Sequence, residues 1–105
     1  MSIDFNTVKN ALTDLSGKTA IVTGAARGQG AIEAELLATA GASVLLCDVL
    51  QDDGTALAAR LCEAGKDVKF LKLDVTSEAG WLEALTMVRD WTGRLDILSM
   101  RLWQW

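Results

Sequence analysis

The stretch Thr19-Ala20-Ile21-Val22-Thr23-Gly24-Ala25-Ala26-Arg27-Gly28-Gln29-Gly30 decides the fold. Its first five residues are short, apolar and β-branched, and a glycine cluster ends them, which reads as a buried strand. Ala31 to Ala40 follows, rich in Ala, Leu and Glu, all strong helix formers, with Gly41 as the stop. Strand, glycine loop and helix start therefore coincide. Gly24 lets the strand turn with no Cβ in the way, and Gly28 and Gly30 let backbone approach a ligand and let the helix sit close on the sheet. The free N–H groups and the positive dipole end of the first helical turn suit a pyrophosphate. Gln29 lies among these N–H groups and keeps its backbone contact whatever its side chain does.

The pattern repeats outward from this stretch. Ser43-Val44-Leu45-Leu46-Cys47 is a second buried strand closed by Asp48. Residues 51–64 form a helix with Leu57, Ala58, Leu61, Cys62 and Ala64 on one face. Val68 to Leu73 is a third strand closed by Asp74, and residues 77–92 are a third helix opened by Thr76-Ser77. Leu95-Asp96-Ile97-Leu98 starts a fourth strand. Strands alternating with helices mean βαβ units, so the fold class is α/β, a Rossmann-type doubly wound parallel sheet cut off after about the fourth strand. The expected strand order is 3-2-1-4, with the first two helices on one face and the third on the other. Residues 1–16 read as a surface leader, 17–98 as a partial dinucleotide-binding domain and 99–105 as a divergent tail. One helix covers four strands poorly, so an exposed sheet face or edge and self-association are expected.

Composition excludes several classes. The 105 residues are half hydrophobic with a formal charge of −4, so neither nucleic acid nor an anionic membrane is attracted. No run approaches a membrane span and no signal peptide is evident, which points to the cytoplasm. There is no histidine, and Cys47 and Cys62 fit no metal spacing, so they read as two small buried hydrophobes and no metal is expected. Ser16-Gly17-Lys18-Thr19 imitates the end of a P-loop but precedes a strand instead of opening a helix.

The acidic strand ends specify the ligand. Asp48 sits where a carboxylate meets the adenosine ribose of a dinucleotide. It accepts ribose hydroxyls and repels a 2′-phosphate by roughly 3 kcal/mol at ~5 Å and an effective dielectric of about 20. NAD is thus favoured over NADP. Arg27, in the glycine loop, pulls toward a 2′-phosphate but is free to swing into solvent. Asp74 is placed to accept the adenine amino group, with Val75 supplying a backbone contact; a turn-capping role for Asp74 is equally open.

Four segments together resemble the N-terminal part of the short-chain dehydrogenase/reductase family: Thr23-Gly24-Ala25-Ala26-Arg27-Gly28-Gln29-Gly30, Cys47-Asp48-Val49, Leu73-Asp74-Val75-Thr76 and Leu95-Asp96-Ile97-Leu98. The resemblance covers residues 17–98. It implies a nicotinamide cofactor, an oxidoreductase that interconverts alcohols and ketones, and cofactor-binding roles for Gly24, Arg27, Gly28, Gln29, Gly30, Asp48, Val49, Asp74 and Val75. The family's Ser, Tyr and Lys machinery has no counterpart, and the chain has no tyrosine at all, so no catalytic residue is assigned. Two alternatives stay open: a non-catalytic NAD-binding or subunit-interaction module, and an adenosylmethionine-binding half-domain, which shares the strand, glycine loop and acidic strand end.

Overall fold

In a computed structural model of the chain, residues 15–100 are described. Residues 1–14 of the expected leader and residues 101–105 of the expected tail lie outside them. Leu15, at the leader's end, is not a surface residue: it packs half-buried against the core, and its N–H donates to Ala40 O at 2.9 Å. Seven elements alternate: β1 (Thr19–Thr23), α1 (Gly28–Thr39), β2 (Ser43–Asp48), α2 (Gln51–Glu63), β3 (Val68–Lys72), α3 (Glu78–Trp91) and β4 (Ile97–Ser99). The sheet has the order β3-β2-β1-β4, and every pairing is parallel.

β1 is buried along its whole length, and β2 along all but its two end residues. Two apolar layers form because successive strand residues point to opposite faces. Ala20, Val22, Val44 and Leu46 pack with Ala34 and Ala38 of α1 and Leu57, Ala58 and Leu61 of α2. Ile21, Leu45, Cys47 and Leu71 pack with Ala84 and Val88 of α3 and with half-buried Trp81 and Trp91. Both tryptophans therefore belong to the core. Small α1 side chains bring that helix close to the sheet. In α2 the same closeness comes from Gly54, where a Cβ would lie 2.0 Å from Phe70 Cε1.

Two local expectations are corrected. Cys62 is exposed, as is Ala64. The buried arc of α2 runs through Gly54, Leu57, Ala58 and Leu61. At 100° per residue Cys62 sits about 90° from its centre, on the flank of the helix. Its thiol turns to the Val68 carbonyl, 3.2 Å away. The fourth strand enters the ladder at Ile97, two residues later than expected. Asp96 is engaged otherwise: its carboxylate accepts Thr19 N–H at 2.9 Å, and its own N–H donates to Thr19 O at 2.9 Å. β4 is an edge strand, and Leu98, paired with Ile21 on the α3 face, is 49% exposed.

Candidate functional site

All strands point the same way, so the residues that follow β1, β2 and β3 gather at one edge of the sheet. Gly24 to Arg27, Asp48 to Leu50, and Leu73 to Val75 are the three segments. Hydrogen bonds join them in order. Ala25 N–H donates to Cys47 O at 3.2 Å, and Leu73 N–H donates to Asp48 O at 3.0 Å. β1 lies between β2, reached by one crossover, and β4, reached from the far edge. In open α/β sheets ligands settle at such a reversal of strand order, beyond the carboxyl ends.

The glycine loop divides its labour. α1 starts at Gly28, three residues before the Ala-rich run, so Gly28, Gln29 and Gly30 form its first turn. Gly28 has φ 66°, and a Cβ there would meet nothing within 4 Å: the chain needs the left-handed conformation and the space in front of it is open. Gly30 faces inward. A Cβ there would stand 2.0 Å from Gly24 O, so the helix rests directly on the turn. Arg27, at the N-cap, makes no side-chain cap, and the first turn holds no acidic residue. By contrast α2 begins with Asp52 and Asp53, and α3 is capped by Ser77 Oγ, which accepts Gly80 N–H at 3.0 Å. Among the described helices α1 alone has neither an acidic residue in its first turn nor a side-chain cap, which suits an anion.

Asp48 ties the loop to the next turn. One carboxylate oxygen accepts Ala26 N–H at 3.0 Å and the other accepts Leu50 N–H at 3.0 Å. A carboxylate offers about four lone-pair sites, so two remain for ligand hydroxyls. Val49 beside it is exposed. The sequence placed Asp48 correctly at the strand end but gave no hint of this loop-organising role.

Asp74 is an exposed turn aspartate. It accepts the Thr76 hydroxyl at 2.7 Å and the Thr76 N–H at 2.9 Å, and these bonds hold its carboxyl below the ordinary carboxylate value. The Val75 carbonyl accepts Trp81 Nε1–H at 2.8 Å, so α3 fixes this turn from below. Sequence reading missed that bond and one other. Arg27, whose side chain is 73% exposed, lies with Nε 3.9 Å from Asp53 Oδ2. Among the described residues no helix is long and apolar enough to cross a membrane, and no cluster of three metal-ligating side chains occurs.

The family model described as short chain dehydrogenase matches residues 18–100. The trans-4-hydroxycyclohexanecarboxylate dehydrogenase of Sinomonas cyclohexanicum is 41% identical over 87 residues, covering 77% of this chain and 34% of that protein. The 3-hydroxyacyl-CoA dehydrogenase type-2 of Bos taurus is 39% identical over 87 residues, covering 83% of this chain and 32% of that protein. The crystal structure of a hydroxysteroid dehydrogenase from Escherichia coli superposes with a TM-score of 0.78 at 33% identity, covering 87% of this chain and 36% of that one. The chain spans about a third of the length of the curated relatives it matches. With its glycine loop, its parallel β3-β2-β1-β4 sheet and a family model matched from residue 18 to residue 100, the chain belongs to the short chain dehydrogenase family.

Proposed function

We propose that residues 17–98 are the cofactor-holding portion of an oxidoreductase of alcohols and ketones, and that the cofactor is NAD. The observation that carries this reading is Asp48. It stands at the carboxyl end of β2, bonded to the glycine loop through Ala26 N–H, with acceptor sites to spare.

The chain's residues divide the ligand between them. The first turn of α1, with Gly28, Gln29 and Gly30, takes the pyrophosphate on its N–H groups, and Gly24 sets the turn that aims them. Asp48 accepts the adenosine ribose hydroxyls. A 2′-phosphate at that point meets the carboxylate and loses roughly a hundredfold in affinity at an effective dielectric of about 20. Exposed Val49 offers an apolar surface to the adenine ring. Asp74 accepts the exocyclic amino group, and Val75, its carbonyl already bonded to Trp81, offers its N–H. When bound, the nicotinamide supplies the hydride chemistry. No catalytic residue is assigned within these 105 residues, which include no tyrosine.

The test is calorimetric titration of the folded chain with NAD, NADP and adenosylmethionine, with circular dichroism as the control for folding. Saturable NAD binding, NADP weaker by about two orders of magnitude and silence toward adenosylmethionine support the reading. Binding of adenosylmethionine without NAD would replace it, and a folded chain indifferent to all three would refute it.

A further inference from the structure

Arg27 and Asp53 stand on either side of the turn that Asp48 builds. Asp48 Oδ2 holds the N–H of Ala26, the residue before Arg27, while Asp48 Oδ1 holds the N–H of Leu50, the residue before α2. One carboxylate thereby sets the distance between the glycine loop and the first turn of α2. Arg27 Nε lies 3.9 Å from Asp53 Oδ2 across that gap. Arg27 is the basic residue of the glycine loop. Asp52 and Asp53, in the first turn of α2, also offset the positive end of that helix.

We infer that the Arg27–Asp53 ion pair is a second selector of NAD against NADP, in which Asp53 keeps the loop's guanidinium from a 2′-phosphate. The inference rests on the reading of this edge as a dinucleotide site and deepens it. Asp48 acts on a 2′-phosphate by repulsion. Asp53 acts by competition: a guanidinium is the natural bidentate partner of a phosphate, and here a carboxylate oxygen stands at ion-pair distance, 3.9 Å from its Nε. Both side chains are more than half exposed, at 73% and 55%. An exposed pair of this kind is weak, so the selection is a modest increment on that of Asp48, about three- to fivefold. It stays reversible, because neither side chain is locked by packing.

The test is a cycle of four chains: wild type, Asp53→Asn, Arg27→Ala and the double variant. Each is titrated with NAD and with NADP at low and high salt. Asp53→Asn keeps the shape of the side chain and removes its charge. We expect it to raise NADP affinity about three- to fivefold, with NAD changed less than about twofold. In the Arg27→Ala background the same change should give almost no gain, and high salt should erase the gain in the wild-type background. An unchanged NADP-to-NAD ratio in Asp53→Asn overturns the inference while NAD binding leaves the cofactor reading standing. An equal gain with and without Arg27 also overturns it, since Asp53 would then act by direct repulsion. Failure of the wild type to bind either dinucleotide overturns the cofactor reading and this inference with it.

Discussion

The Asp48 carboxylate accepts the N–H of Ala26 at 3.0 Å, joining the end of β2 to the glycine loop that follows β1. A side chain read as a ligand contact is thus also a strut of the site. The other oxygen accepts Leu50 N–H, so its removal leaves two half-buried donors without a partner. Bonds to a charged acceptor contribute about 1.5–3 kcal/mol each in protected surroundings, and less here because water reaches the site. Asp48→Ala is expected to lower stability by about 2 kcal/mol, a fall in Tm on the order of 10 °C for a domain this size. It should also abolish measurable NAD binding. Asp48→Asn, which keeps an acceptor oxygen, should lose about half as much stability. Thermal unfolding followed by circular dichroism checks both; equal stability of Asp48→Ala and wild type would mean the strut is idle.

The two glycines of the first helical turn should respond oppositely to alanine. At Gly30 a Cβ meets the Gly24 carbonyl at 2.0 Å, a backbone atom that cannot step aside. Gly30→Ala is expected to destabilise by about 3 kcal/mol or more, with loss of folding in a chain this short. At Gly28 the space is open and the obstacle is φ 66° alone. Gly28→Ala should lose only about 1–2 kcal/mol and leave the fold intact. On the proposed reading its larger effect should fall on NAD binding, because the new methyl enters the open space in front of the first turn of α1. Denaturant melts and NAD titrations of the two variants separate packing from ligand approach.

The strand order and the two-layer core were legible because β1 and β2 are unbroken apolar runs closed by glycine or aspartate. Such runs need burial on both faces, and a parallel sheet flanked by helices provides it. The positions of the loop glycines after β1 and of Asp48 at the end of β2 were legible for a related reason: a strand, a turn and a helix start leave few places for them. What escaped reading were bonds between residues distant in sequence. Trp81 Nε1–H reaches Val75 O, and Arg27 reaches Asp53 across a turn. Neither has a periodicity. Gly54 escaped too, since a glycine inside a helical pattern declares its purpose only when Phe70 is found against it. Cys62 was misplaced because a helix on a sheet buries a narrower arc than the apolar positions of its sequence suggest.

The cysteines should differ sharply in reactivity. Cys47 lies at the end of β2 with 0% exposure, and burial, helped by the neighbouring Asp48 charge, pushes its thiol up to about 12. The thiolate is the reactive form, so Cys47 is inert near neutral pH. Cys62 is exposed. A disulfide-exchange reagent at pH 8 should therefore titrate one thiol of the native chain quickly and the second only after denaturant is added. Cys62→Ser should remove the fast phase entirely. Two thiols reacting at one rate in the native chain would contradict the burial of β2.

Asp96 should give the sheet edge an acid sensitivity. Its carboxylate is bound by Arg94, with Nε 2.9 Å from Oδ2, and by Thr19 N–H at 2.9 Å. The Arg94 hydrogen bond first, and the Thr19 bond second, hold its carboxyl below the ordinary value of 3.8. A folded-state value lower than the unfolded one means that the contribution to stability is complete above about pH 4 and disappears as pH falls through the depressed value. Thr19 Oγ1–H donates to Thr92 Oγ1 at 2.8 Å, so the end of α3 is tied to the same point. Protonating Asp96 should loosen β4 first, since β4 pairs on one side only. Urea unfolding of wild type and Asp96→Asn from pH 7 to pH 2 reads this as a difference. The wild type should be the more stable at pH 7, and its advantage should shrink steadily below about pH 4. An advantage that stays constant down to pH 2 would show that the Asp96 side chain acts through shape and not through charge.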